Sequence, residues 1–141
     1  MSPQTTLTSP RTSTAKTERF DAIACLDERV RHEAATAVPT EPGRYLEVQG
    51  PERSLTITLG GGAVRIGRGI GADLRLDDSS VSRRHAILVP RASGARVLDD
   101  RSSNGTYVNG RRVQQSELRS GDVIVLGRVV LRYLEITGPG E

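Results

Sequence analysis

The sequence is poor in cysteine and aromatic residues: it has no tryptophan, one phenylalanine, three tyrosines and a single cysteine, Cys25. A lone cysteine excludes an internal disulfide and a metal site built from several cysteines, and it favours a reducing, cytoplasmic setting. The chain also lacks an apolar run long enough to span a membrane and the apolar core of a signal peptide. We therefore expect a cytoplasmic protein with no membrane partner, no cofactor and no metal.

Positive charge is carried almost only by arginine, because Lys16 is the only lysine among 20 basic residues. Arginine suits two-pronged contacts with phosphate or carboxylate. A basic chain can also bind nucleic acid, but that function needs aromatic or base-reading side chains beside the charge, and this chain has few aromatic residues. A nucleic-acid-binding β-domain is therefore the alternative, and we expect no nucleic-acid partner.

The composition changes along the chain, whose 141 residues suffice for one hydrophobic core with some chain left over. It predicts four parts: residues 1–17, a disordered Ser/Thr/Pro-rich tail; 18–41, a short amphipathic helix and linker; 42–137, the folded domain; and 138–141, a C-terminal tail.

The predicted helix rests on the spacing of apolar residues. Phe20, Ile23, Leu26 and Val30 lie three or four residues apart, so they would form one apolar stripe on a helix of about five turns. The prolines of the segment PTEPG then break the pattern. Such a helix could dock on the domain, bind a partner or remain free.

The folded domain shows short extended runs separated by glycine-rich turns, with 15 glycines in the chain. This pattern predicts an all-β sandwich, and the absence of a helical period in this part of the chain argues against a βαβ nucleotide-binding fold. The predicted strands are 44–49, 54–59, 63–66, 74–76, 85–89, 95–99, 106–108, 122–126 and 129–136.

Two stretches suggest chemistry that their surroundings do not support. The glycines of IGRGIG (residues 66–71) are followed by a strand-like run rather than by the helix that a phosphate-binding loop needs. Ser82 and His85 could suggest a hydrolase, but no nucleophile elbow surrounds the serine and no orienting carboxylate is evident. We therefore expect no catalytic residues, and we expect His85 to brace a loop through a backbone hydrogen bond.

Five short motifs follow one another in the order found in a known family: Gly67-Arg68, Asp73, SRRH (Ser82–His85), SNGTYVNG (Ser103–Gly110) and GDVIVLG (Gly121–Gly127). Together they resemble the forkhead-associated (FHA) domain, over roughly residues 44 to 136. The resemblance implies an eleven-strand antiparallel β-sandwich of the FHA/SMAD-like class. It also implies a module that binds phosphothreonine proteins downstream of a Ser/Thr protein kinase. An FHA-fold scaffold for an unphosphorylated partner is a further alternative.

The resemblance also implies a role for each motif residue. Arg68 would be the main charged clamp on the phosphate, with Ser82 and Ser103 as hydroxyl donors and Arg84 as an assisting cation. Asn104 would hydrogen-bond the peptide backbone. Structural support of the loops would come from Gly67, His85, Gly105 and Asn109, the last as part of an Asn-Gly turn. Members often have proline before the VS pair, where this chain has Ser79-Ser80.

The N-terminal tail holds candidate phosphoacceptors for such a site. Thr5, Thr6 and Thr17 are the threonines that we single out, and Thr17 is followed three residues later by Phe20, an apolar anchor. Because a tether makes binding effectively intramolecular, a phosphorylated tail could occupy its own site and switch the domain off.

Overall fold

The computed structural model describes residues 20–37 and 39–138. In the described residues the chain forms a 3-10 turn at Ala22–Cys25, one short helix and eleven strands. Their bounds are α1 Glu28–Glu33, β1 Gly43–Gln49, β2 Ser54–Leu59, β3 Val64–Gly67, β4 Leu74–Arg75, β5 Ala86–Pro90, β6 Ala95–Asp99, β7 Thr106–Val108, β8 Arg111–Val113, β9 Gln115–Leu118, β10 Val123–Leu126 and β11 Val129–Ile136. The predicted all-β class is confirmed.

The strands form two sheets that pack face to face. One sheet has the strand order β9-β6-β5-β3-β4, and the other has the order β2-β1-β11-β10-β7-β8. Every named pair is antiparallel except β3 with β4. Aliphatic side chains from both sheets fill the space between them, with Leu46, Leu76, Ile124 and Leu131 fully buried. This sandwich leaves the loops at each end free to carry a site.

The N-terminal segment differs from its prediction. The predicted short helix is present as α1, but it does not extend over five turns, because Leu26 is extended and pairs with Leu76 between the 3-10 turn and α1. The apolar stripe is nevertheless buried: Ile23 is 1% exposed and Leu26 is 4% exposed. Pairing with the sandwich therefore determines the backbone here, and the segment docks on the domain.

The sequence pattern did not predict two strands, β8 and β9, which are the outer strands of their sheets. Most of their side chains are exposed and polar, so these strands lack the alternation by which a half-buried strand is recognised. Among the described residues, no helix is long and apolar enough to cross a membrane.

Candidate functional site

A cavity of about 490 Å³ opens at one end of the sandwich. Three loops form it: the loop after β3, the loop before β5, and the loop between β6 and β7. All five residues predicted to bind a phosphopeptide line this cavity: Arg68, Ser82, Arg84, Ser103 and Asn104. Residues more than 30 positions apart in the sequence therefore converge on one concave surface.

The guanidinium of Arg68 is anchored at one end and open at the other. Its Nε donates a 3.0 Å hydrogen bond to the carbonyl oxygen of Val81, and its backbone N–H donates to the carbonyl of Ser82 at 2.8 Å. Among the described residues the two Nη groups have no hydrogen-bond partner. The anchored Nε fixes the side chain, so the Nη donors remain available to an anion in the cavity.

The hydroxyl of Ser82 joins two of the loops. Its Oγ accepts a 2.8 Å hydrogen bond from the backbone N–H of Ser103. Because that bond uses a lone pair on Oγ, the hydroxyl hydrogen of Ser82 remains free to donate. The hydroxyl of Ser103 is exposed and has no partner in the described part of the chain. Ser82 and Ser103 thus each bring a hydroxyl donor to the cavity.

The side-chain amide of Asn104 is oriented by the opposite loop. Its Nδ2 donates a 2.9 Å hydrogen bond to the carbonyl oxygen of Ser80. This contact leaves Oδ1 to accept a hydrogen bond from solvent or from a backbone N–H of another chain.

Arg84 lies in the cavity but is paired with a carboxylate of the protein. Its Nε and Nη2 donate to Asp100 at 3.1 and 3.2 Å, and its side chain is 75% exposed. The pair neutralises Arg84, whereas Arg68 has no carboxylate partner in the described part of the chain. An exposed pair of this kind contributes little to stability.

The buried imidazole of His85 connects the loops from below. Its Nδ1 accepts a 3.1 Å hydrogen bond from the backbone N–H of Ser82, and its Nε2 lies 2.8 Å from the carbonyl oxygen of Gly105. A carbonyl can only accept, so Nε2 carries the proton. Because Nδ1 binds a backbone N–H rather than a hydroxyl, His85 does not activate Ser82 as a nucleophile.

Backbone geometry shows how Gly67 and Asn109 support the loops. At Gly67 a Cβ atom would lie 2.1 Å from the carbonyl oxygen of Arg83, so only glycine lets β3 pass this close to the loop before β5. Asn109 has φ +50° and its side chain bonds Asp122 and the N–H of Val123. Asn109 therefore fixes the β7–β8 turn against the start of β10.

Asp99 is a residue of the site that the sequence reasoning missed. Its carboxylate accepts hydrogen bonds from the hydroxyl of Thr106 at 2.7 Å and from the backbone N–H of Ser102 at 3.2 Å, as well as from the Ser102 hydroxyl. Burial raises its pKa, but the bonds from Ser102 and Thr106 outweigh burial and the net shift is downward. An aspartate three residues before a serine in a turn is the signal that could have found it.

A second missed group supports the loop before β5. The guanidinium of Arg128 donates to the buried carboxylate of Asp78 at 2.8 Å, and its Cζ atom lies 4.1 Å from the ring centre of Phe20. Hydrogen bonds from Arg128, together with bonds from Ser80, lower the pKa of Asp78 from 3.8 to about 2, against the raising effect of burial. The Ser80 hydroxyl also accepts from the backbone N–H of Arg128 at 3.0 Å. The cluster therefore ties Phe20 to the wall of the cavity.

Three predicted positions, the candidate phosphoacceptors Thr5, Thr6 and Thr17, lie outside the described residues. Taken together, the described site offers a guanidinium, two hydroxyls and an amide to a ligand, without a nucleophile activated by a base. Such a donor set can hold an anion without breaking a bond.

Comparison with known proteins agrees with this arrangement. The FHA domain family matches residues 64–127. The glycogen accumulation regulator GarA of Mycobacterium tuberculosis is 34% identical over 129 residues, covering 87% of this chain and 78% of that protein. An oxoglutarate dehydrogenase inhibitor of Corynebacterium jeikeium is 30% identical over 138 residues, covering 95% of this chain and 96% of that protein.

Two other matches cover a smaller share of this chain or of the matching protein. An ABC transporter ATP-binding/permease protein of M. tuberculosis is 45% identical over 83 residues, which are 59% of this chain but 10% of the transporter. A solved structure from work on phosphothreonine-dependent FHA domain interactions has a TM-score of 0.62 and 36% identity, and it covers 67% of this chain and 98% of its own.

Proposed function

The chain belongs to the forkhead-associated (FHA) domain family, and on this premise we propose that it is a non-catalytic signalling module that binds phosphothreonine proteins. One observation carries the proposal: Arg68, Ser82, Ser103 and Asn104 line one cavity, where each keeps a hydrogen-bonding group that the described residues leave unused. The relatives that match over most of their length are named as a regulator and an inhibitor, which supports a regulatory rather than an enzymatic role.

The proposed chemistry matches the donors to the charge of the ligand. A phosphothreonine carries about −1.5 to −2 charge and three acceptor oxygens. The Nη groups of Arg68 supply the charge-assisted hydrogen bonds, and the hydroxyls of Ser82 and Ser103 bind the remaining oxygens. Asn104 accepts a backbone N–H of the peptide through Oδ1 and so fixes its register. Arg84 helps to bind the phosphate by releasing its exposed hydrogen bonds to Asp100 and donating to the phosphate instead.

A Ser/Thr protein kinase acts upstream in this proposal, since it must supply the phosphothreonine. We assign the phosphopeptide-binding unit to residues 42–137 and the short helix and linker to 18–41, and we place the protein in the cytoplasm as the lone Cys25 suggests.

The N-terminal tail is the proposed regulator of the same site. Phe20, the first described residue, packs on Arg128, whose backbone N–H bonds Ser80 in the cavity wall. Phe20 therefore lies next to the cavity wall, and a phosphate on Thr5, Thr6 or Thr17 would compete with an external peptide. Mass spectrometry after kinase treatment tests this role, and the absence of phosphate on every tail threonine would exclude it.

Titration of phosphothreonine peptides tests the main proposal. We expect binding to the phosphorylated peptide, none to its unphosphorylated twin, and a loss of at least tenfold in affinity for Arg68→Ala, because a charged hydrogen-bond donor is removed. Arg119, an exposed arginine after β9, gives the matched control Arg119→Ala. Equal binding of both peptides would instead favour a scaffold for an unphosphorylated partner.

A further inference from the structure

A second cavity of about 530 Å³ adjoins the first. The two cavities share Arg83, Arg84 and Asp100 in their walls. The second extends away from Asn104, between the loop after β3 and the outer face of β5. A peptide chain that leaves the first cavity on this side passes directly into the second.

The second cavity carries positive charge that the protein does not balance. Arg65 and Arg83 are exposed, and within the described residues neither guanidinium makes an ion pair or a hydrogen bond. The nearby carboxylate of Asp73 accepts from the backbone N–H of Arg65 at 2.9 Å, not from its guanidinium. Asp100 neutralises Arg84. Arg68 is assigned to the phosphate in the first cavity. Arg65 and Arg83 are therefore the two cations of the second cavity without an assigned partner.

The shape of the second cavity suits an extended peptide. One wall is made by Gly69, Gly71 and Ala72, which present almost no side chain. The N–H of Gly69 donates to the carbonyl of Arg83 at 3.1 Å, so this wall is fixed to the loop before β5. Ile87 adds an apolar patch beside the arginines. Next to apolar groups a charge pair is stronger than in water, because the local dielectric constant is lower.

We propose that the second cavity binds a further anionic group on the same phosphothreonine peptide, held by Arg65 and Arg83. The group is a carboxylate of aspartate or glutamate, or the phosphate of a second phosphorylated residue, since both present oxygens that accept from guanidinium. This inference rests on the proposed function, because the phosphothreonine in the first cavity brings the second group into reach. The protein therefore selects phosphothreonine sites within acidic or doubly phosphorylated sequences.

The test compares peptides that differ only beside the phosphothreonine. One peptide has neutral flanks, a series carries aspartate at each of the four positions on either side, and a matching series carries phosphoserine. Affinities are measured by fluorescence anisotropy at low and at physiological salt for the wild type, Arg65→Gln and the double variant R65Q/R83Q. Arg119→Gln is the control, because it removes the same charge from an exposed position outside both cavities.

We expect an anionic group at one or two positions to tighten wild-type binding about three- to tenfold, as one or two partly exposed ion pairs would, with a smaller effect at higher salt. Arg65→Gln should keep the affinity for the neutral peptide and lose much of the preference, and the double variant should lose all of it. If the wild type shows no preference for an anionic group, or if the double variant keeps that preference, the inference is wrong while the proposed function stands. Failure of every phosphothreonine peptide to bind overturns the proposed function.

Discussion

The Nε2 atom of His85 lies 2.8 Å from the carbonyl oxygen of Gly105, so one buried imidazole connects the two loops that carry the phosphate-binding candidates. The other ring nitrogen accepts from the N–H of Ser82. Ser82 lies three residues before His85, and Asn104 directly precedes Gly105. The spacing of the cavity donors therefore depends on a side chain that does not line the cavity.

Replacing His85 by alanine should destabilise the protein by about 2–4 kcal/mol. The change leaves a buried carbonyl at Gly105 and the N–H of Ser82 without their partner, and it creates a cavity. Urea unfolding measures the loss. His32, which is exposed on α1, provides the control His32→Ala, for which we expect a change within about 0.5 kcal/mol. Equal effects at the two histidines would contradict the bracing role.

Replacing Ser82 by alanine should separate binding from stability. The variant loses the hydroxyl that we propose donates to the phosphate, so the affinity for a phosphothreonine peptide should fall about tenfold. The free energy of unfolding should change by less than about 1 kcal/mol, because the bond from Ser103 is exposed to solvent. Ser93→Ala, at the opposite end of β5 and β6, should change neither quantity. An unchanged affinity for the Ser82 variant would remove this residue from the site.

The docked N-terminal segment offers a matched pair of substitutions. Ile23 is 1% exposed within the core, whereas Ile70 is 92% exposed at the tip of the loop after β3. Ile23→Ala should cost about 2–4 kcal/mol of unfolding free energy through lost burial and a cavity, and Ile70→Ala less than about 0.5 kcal/mol. Denaturant titration of both variants checks the difference. Similar stabilities would mean that the segment does not form part of the core.

The residues of the cavity could be proposed from the sequence because their motifs resemble those of the FHA family, and local chemistry supported the turns between them. An Asn-Gly pair predicts a turn wherever it stands, and Gly105 indeed has φ +90°. The order of the motifs then supplied the fold, since eleven strands are not visible in the hydrophobic pattern alone. Two of those strands, β8 and β9, are polar outer strands without alternation.

Contacts between distant residues could not be predicted in the same way. Arg128 and Asp78 are 50 positions apart, and nothing in the sequence distinguishes this pair from other combinations of arginine and aspartate. The apolar spacing at Ile23 and Leu26 correctly indicated burial but predicted the wrong backbone, because Leu26 pairs with Leu76 as an extended residue. Tertiary pairing outweighs the helical preference of so short a segment.

The carboxylate of Asp78 should make part of the stability dependent on pH. Its pKa is lowered in the folded protein from 3.8 to about 2, chiefly by hydrogen bonds from Arg128. A carboxylate with a lowered folded pKa stabilises the protein above its unfolded pKa, and this contribution is lost as the pH falls from about 4 to about 2. We expect a contribution of about 1–2 kcal/mol, less than the full shift would give, because the Arg128 side chain is 60% exposed to solvent.

Urea unfolding of the wild type and Asp78→Asn between pH 7 and pH 2 measures this contribution as a difference. The variant should be less stable at pH 7, and the gap should close as the pH falls, because protonation removes the same charge from the wild type. Subtracting the two curves cancels the acid sensitivity of Asp99, whose pKa is also lowered and which both proteins retain. Asp77, whose side chain is 64% exposed, gives the control Asp77→Asn, which should follow the wild type throughout. A gap that stays constant with pH would show that Asp78 acts through packing rather than charge.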